Sequence, residues 1–186
     1  MFEPKITETV QNIVKEYIKD GDSVIDATVG NGFDTVFLAE SVGENGTVYG
    51  FDIQSIAINL TKEKLNENKL NERVVLIEDS HEYVNKYVND NIKVAMFNLG
   101  YLPKGDKNVI TKPDSTIKAI EKILDLLESG GLISIIAYYG HKGGMEEKDS
   151  VSKFLRELDS NKYDIISIKY ENRVKNAPII YLVRKK

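Results

Sequence analysis

Cysteine is missing from the 186 residues, and histidine occurs only as His81 and His141. The first absence excludes disulfides, thiolate metal ligands and a cysteine nucleophile. The second leaves too few imidazoles for a histidine-rich metal centre, and no metal is expected. No apolar run approaches the roughly 20 residues that a membrane helix needs. The opening stretch, MFEPKITETVQN, has neither the basic start nor the apolar core of a secretory signal. A cytoplasmic protein that does not enter membranes is the expectation. No internal repeat, low-complexity tract or linker interrupts the chain, so residues 1–186 read as one domain. What is present is ordinary for a soluble globular protein, with 41% hydrophobic and 29% charged residues.

Charge is unevenly spread. Residues 1–98 carry 9 basic and 17 acidic groups, residues 99–161 carry 9 and 10, and residues 162–186 carry 7 and 2. The net charge of −4 argues against a general nucleic-acid coat. The basic final segment has two readings. Lysine on a strand edge blocks aggregation, or that side of the molecule receives an anionic partner.

Apolar periodicity predicts alternating elements. Helices are expected at 5–19, 32–41, 55–68, 82–88, 113–128 and 146–159, with Ile56, Leu60 and Leu65 facing inward on the third. Strands are expected at 23–27, 47–52, 73–77, 93–97, 132–137, 163–170 and 179–183. Gly130 and Gly131 are placed to stop the long helix that begins near Pro113. The first five strands are short and apolar on both faces, which means a mostly parallel sheet covered by helices on both sides. The last two, joined by ENRVKNAP, read as a C-terminal antiparallel hairpin. The fold class is α/β, a seven-stranded Rossmann-like sheet.

Open parallel sheets bind ligands beyond the carboxyl ends of their strands. Four successive ends carry Asp26, Asp52, Asp79 and Asn98, and the glycine turn with Gly30 and Gly32 follows the first. Glycine admits positive φ and close ligand approach, and the helix beyond offers free N–H groups. Asp52 is placed to accept two ribose hydroxyls and Asp79 an exocyclic amine, with Ser80 or His81 flanking a base. A dinucleotide fingerprint wants G-x-G-x-x-G, but Thr28 and Phe33 stand where two of those glycines belong. Asp26 would repel a pyrophosphate and suits an ammonium. A ligand with an ammonium, a ribose and an adenine in these places is S-adenosylmethionine. Each residue also has a plain structural reading: a cap or turn for Asp26, a lysine partner for Asp52, a loop tie for Asn98.

The stretch IDATVGNG resembles the first motif of class I methyltransferases, and Asp52 and Asp79 fall where that class has its second and third. DATVGNGFDTVFLA (26–39), NLGYLPKGDK (98–107), TKPDST (111–116) and YGHKGG (139–144) resemble a smaller bacterial group, the rRNA methylase family. The resemblance implies S-adenosylmethionine as cofactor, held by Asp26, Thr28, Gly30, Asn31, Gly32, Asp34, Asp52, Gln54, Asp79, Ser80, His81, Asn98, Leu99 and Gly100. It departs from the wider class at Thr28, where glycine is usual, and threonine can still bond to backbone there. It also implies methylation of the 5-aminomethyl group on thiolated wobble uridine, hence tRNA gripped at its anticodon region.

Methyl transfer is an in-line displacement in which orientation does most of the work. An amine acceptor needs only a free, aimed lone pair. Amino-group methyltransferases place Asn or Asp, two prolines and an aromatic here. This chain keeps Asn98 and Tyr101 but has Leu99 and Gly100 between them, which suits a flexible alkylamine better than a stacked base amine. Asn98, Tyr101 and His141 are the candidate catalytic residues, with core packing as the other reading of Tyr101 and a loop role as that of His141. Lys104, Lys107, Lys112 and Lys142 are candidate phosphate contacts near the site, with Lys169, Arg173, Lys175 and the tail 184–186 further along the RNA. Other readings stay open: an rRNA or small-amine substrate, a non-catalytic nucleotide-binding module, a dehydrogenase, and a homodimer as well as a monomer. Calorimetry is expected to detect binding of S-adenosylmethionine and none of NAD; NAD binding alone would overturn the cofactor reading.

Overall fold

Val94, Ala95, Met96 and Phe97 point alternately to opposite faces of a sheet, and each face has its own core. Val94 and Met96 join Val10, Val14, Leu38 and Leu65. Ala95 and Phe97 join Ile120, Ile123, Val151 and Leu155. The computed structural model describes residues 5–100, 110–173 and 177–186. Its strands are β1 (Ser23–Asp26), β2 (Thr47–Asp52), β3 (Val74–Glu78), β4 (Ile92–Leu99), β5 (Leu127–Ala137), β6 (Tyr163–Ile168) and β7 (Ile179–Lys185). Helices are α1 (Ile6–Lys15), α2 (Phe33–Ser41), α3 (Ser55–Glu67), α4 (Pro113–Leu126) and α5 (Gly144–Glu157), with 3₁₀ turns at Asn71–Arg73 and His81–Lys86.

The sheet order is β3-β2-β1-β4-β5-β7-β6. Strands β1 to β5 pair in parallel, and β7 runs antiparallel to both β5 and β6. The expected seven-stranded, mostly parallel sheet with a C-terminal antiparallel hairpin is what forms. The order reverses between β1 and β4, which opens a crevice at the carboxyl edge of the sheet. Helices α1, α2 and α3 cover one face, and α4 and α5 the other.

Several expectations change in detail. β4 runs to Leu99, so Asn98 is not a residue beyond a strand: it lies in the ladder, opposite Ile136 of β5. A polar side chain inside a strand is invisible to a hydropathy pattern. The long helix ends at Leu126, and Leu127 enters the sheet directly with extended backbone. Gly130 and Gly131 therefore do not cap it. They lie where the β4–β5 register shifts, between Ile92 with Leu127 and Val94 with Leu132. On α3 the buried stripe is Ala57, Thr61 and Leu65, while Ile56 is 48% exposed. Leu65 thus faces inward as expected, while Ala57 and Thr61 take the inner places expected of Ile56 and Leu60.

The tail lies at the end of the sheet away from the crevice. Antiparallel β7 carries the chain away from the crevice, so Arg184 pairs opposite Leu132 at the far end of β5. Lys185 Nζ donates to the carbonyls of Leu124 (2.9 Å) and Leu127 (2.6 Å), at the end of α4. Lys186 Nζ donates to Ser160 O at 2.7 Å and pairs with Asp164. These lysines fasten a terminus and neutralise orphan helix carbonyls; they lie on the edge opposite the crevice. No described helix is long and apolar enough to cross a membrane. Replacing Lys185 with alanine is expected to cost about 1–2 kcal/mol, read as a melting shift of roughly 2–6 °C, with no change in ligand binding.

Candidate active site

The first loop is built by glycine and by a buried acid. Gly30 and Gly32 have φ of 54° and 77°, a region side chains rarely adopt. A Cβ on Gly32 would also lie 2.5 Å from Thr61 Oγ1, so α2 can start against α3 only from a glycine. Asp26 is wholly buried. It accepts from Thr28 N (3.1 Å) and Thr35 Oγ1 (2.6 Å). Burial first, and then the nearby Asp34, push its carboxyl up to about 7, against the pull of those hydrogen bonds. The sequence offered Asp26 to a ligand's ammonium. Its carboxylate instead shapes the turn from beneath and does not line the crevice.

Asp52 is the clamp between the first two loops. Its two oxygens accept from Gly30 N (2.9 Å) and Gln54 N (2.9 Å). Burial raises its pKa, and the backbone bonds and His81 counter it. Asp79 accepts from Ser80 N (2.7 Å) and Tyr87 Oη (2.7 Å), and the tyrosine bond holds its carboxyl below the usual range. Asp52, Gln54, Asp79 and Ser80 line one stretch of a cavity of about 790 Å³, a volume in the range of cofactor sites.

His81 stands behind that stretch, its pKa lowered by burial. Its Nδ1 faces Ala27 O at 2.9 Å. A carbonyl can only accept, so Nδ1 carries the proton and Nε2 is an acceptor. Nε2 has no partner among the described residues.

The crevice floor is the end of β4. Asn98 N donates to Thr28 Oγ1 (2.7 Å). Thr28, where the wider class has glycine, thus bonds to the backbone of β4. Asn98 shares the face of Met96 and Val94 and so points toward α2 and α1. There Asn98 Nδ2 donates to Asp34 Oδ2 (2.6 Å), and Gln11 Nε2 donates to Asp34 Oδ1 (2.6 Å). A carboxylate only accepts, so Asp34 turns the Asn98 amide group toward itself and the carbonyl Oδ1 away. Oδ1 is buried without a partner among the described residues.

The remaining wall comes from Leu99, Gly100, Thr111, Tyr138 and His141. Tyr138 N donates to Leu99 O (3.1 Å). A Cβ on Gly100 would sit 3.6 Å from His141 Nε2, and one on Gly144 would meet that nitrogen at 2.8 Å. His141 is therefore folded over the first turn of α5, beside Gly100. Among the expected RNA contacts, Lys112 and Lys142 are exposed near this wall, and Arg173 stacks on the Tyr170 ring at 3.8 Å. Tyr101, Lys104, Lys107 and Lys175 lie outside the described residues.

Phe33, at a third fingerprint position, does not press on the sheet. It is 68% exposed with Lys64 Nζ 3.5 Å over its ring, and it lines the cavity mouth with Gly30 and Asn31. Sequence reasoning missed α1, whose Thr7, Glu8 and Gln11 form part of the wall. It also missed Thr111 and Tyr138. Among the described residues no group of three His, Asp or Glu could hold a metal.

The donors and acceptors fit S-adenosylmethionine. Asp52 retains lone pairs for a ribose and Asp79 one for an exocyclic amine. His81 Nε2 and Asn98 Oδ1 are buried acceptors without a partner among the described residues, and each is open to an N–H or O–H from a ligand in the crevice. A sheet of this order, with a glycine turn after β1, an acid at the end of β2 and a nucleoside-sized crevice at the switch point, defines a class I methyltransferase.

The model of the family described as "Putative rRNA methylase" matches residues 48–184, and the chain belongs to that family. It is 37% identical over 97% of its length to a protein of Arabidopsis thaliana, covering 70% of that protein, which is named tRNA (mnm(5)s(2)U34)-methyltransferase, chloroplastic. Two solved structures match over their whole length and that of this chain. One is a "putative rRNA-methylase" from Clostridium thermocellum (TM-score 0.97, 42% identity). The other is a "putative methyltransferase" from Streptococcus mutans in complex with SAH (TM-score 0.91, 39% identity).

Asp26 makes a pH prediction. A carboxyl whose pKa is higher folded than unfolded binds protons more tightly in the folded chain. Stability therefore falls as pH rises from about 4 toward 7 and levels off above that. The slope from this group is at most about 1.4 kcal/mol per pH unit. Melting curves from pH 5.5 to 8 are expected to fall more steeply for the natural protein than for Asp26→Asn, which keeps the shape but cannot ionise.

Proposed function

We propose that the protein binds S-adenosylmethionine and N-methylates the 5-aminomethyl group of 5-aminomethyl-2-thiouridine at the wobble position of tRNA, in the cytoplasm. The observation that carries this reading is Asn98. Its amide is locked by Asp34, and its carbonyl oxygen is buried, without a partner among the described residues, and turned away from Asp34 at the crevice floor. Such an oxygen holds one N–H of an amine and thereby aims the lone pair. The cofactor, when bound, supplies the electrophilic methyl group. The chain supplies orientation and a dry wall, which suffices for an amine nucleophile.

A primary alkylamine must first lose a proton. The crevice lowers an amine's pKa by desolvation, and His141 on the same wall is the candidate proton acceptor. Gly100 leaves open the space that a proline would fill in a base-amine enzyme. Lys112, Lys142, Lys169 and Arg173 are exposed and belong to loops that follow β4, β5 and β6, parallel strands whose ends share the crevice edge. They suit an RNA backbone crossing that edge. The name of the Arabidopsis relative supports the tRNA substrate, while the family description favours rRNA as the second reading. A small-molecule amine and a non-catalytic module are the other outcomes.

The deciding experiment is incubation with tRNA bearing 5-aminomethyl-2-thiouridine, followed by nucleoside mass spectrometry. A gain of one methyl mass on that nucleoside is expected. No gain there, with gain on rRNA fragments, would transfer the assignment to rRNA. Asn98→Ala is expected to lower kcat about 100-fold or more while calorimetry shows cofactor affinity within about threefold. Asp52→Ala is expected to weaken cofactor binding roughly 10- to 100-fold through loss of the loop clamp and the ribose acceptor. Wild-type turnover by Asn98→Ala would remove its orienting role.

A further inference from the structure

We propose that Glu147, a residue that does not touch the crevice, positions its acceptor wall through Thr111; the role rests on the methyltransferase reading above. Glu147 lies in the first turn of α5 and is 2% exposed. Oε2 accepts from Thr111 Oγ1 (2.6 Å) and Oε1 from Thr116 Oγ1 (2.8 Å). Thr111 Oγ1 in turn accepts from Gly100 N (2.9 Å), and Thr111 N donates to Gly100 O (3.0 Å). Both backbone groups of Gly100 are thus held by one threonine, and that threonine is held by one carboxylate.

The direction of this chain is fixed by chemistry. A hydroxyl has one proton and two lone pairs. A carboxylate takes the proton, so a lone pair of Thr111 must face the Gly100 N–H. Without Glu147 the hydroxyl is free to turn, and the amide loses its defined acceptor. Gly100 needs this support because its φ of 155° is one that side chains rarely adopt. It follows Asn98 by two residues and abuts His141, so its placement sets the distance between Asn98 and His141. Glu147 also reaches His141 electrostatically, and its N–H donates to Gly143 O (3.1 Å). It therefore ties together the segments after β4, before α4 and after β5.

The test uses Thr111→Val, Thr111→Ser and Glu147→Ala. Exchange of the Gly100 amide, followed by NMR, is expected to speed up in Thr111→Val and Glu147→Ala and to stay slow in Thr111→Ser. The first two are expected to lose about 10- to 100-fold in kcat while S-adenosylmethionine affinity stays within about threefold. Thr111→Ser should recover at least half of wild-type turnover. If Glu147→Ala does not fold, Thr111→Val carries the same comparison. Unchanged Gly100 exchange in Thr111→Val overturns the proposal. So does cofactor affinity lost in parallel with kcat, which would mean general loosening. The exchange measurement needs no acceptor, so it decides on Glu147 even where the natural protein leaves tRNA unmodified, a result that counts against the tRNA reading alone.

Discussion

The crevice depends on one carboxylate used as an acceptor from two sides. Asp34 takes the amide of Gln11 from α1 and the amide of Asn98 from β4, while it belongs to α2 itself. Both amides show it their NH₂ groups, and its two oxygens accept from them. One consequence is geometric, since two helices and the central strand are tied at one point. The other is chemical, since the Asn98 carbonyl is directed away from Asp34 and has no partner among the described residues. Thr28 completes the arrangement by accepting the N–H of Asn98, which binds the first loop to the same strand.

Acids crowd this region. Asp34 and Asp52 both act electrostatically on Asp26, and the protein separates their duties by burial. Asp26 is wholly buried, and burial raises its carboxyl to about 7. Asp52 is also raised by burial, and the two loop amides that it accepts from pull against that rise. The acidic excess of residues 1–98 is therefore partly a property of the site. The basic excess of the last segment divides in two: Arg173 lies in the β6–β7 loop near the crevice edge, and Lys185 and Lys186 fasten the opposite edge.

Local pattern was enough for most of the fold. Alternation around Val94–Phe97 and the glycine turn after Asp26 speak through neighbouring residues, and both led to the right layers and the right edge. Long-range partners left no such trace. Nothing near Asn98 in the sequence points to Asp34, and nothing near Gly100 points to Glu147. The error at Asn98 arose because an apolar run ends at Phe97 although the backbone ladder does not. At α3 the pattern was ambiguous between two stripes one residue apart, and Thr61 won the inner place because its neighbour is the bare Cα of Gly32. Asp26 read as a ligand contact because a motif shows which residue follows a strand, and not how deep it lies.

The antiparallel course of β7 has a practical side. It returns the chain to the edge of the sheet farthest from the crevice, whereas Lys5 and, on α1, Thr7 and Glu8 contribute to the cavity wall itself. The two ends of the described chain are therefore unequal as handles. Affinity tags, fluorophores or surface anchors joined at Lys186 stand clear of the crevice, whereas a group attached at Thr7 or Glu8 would stand on its wall.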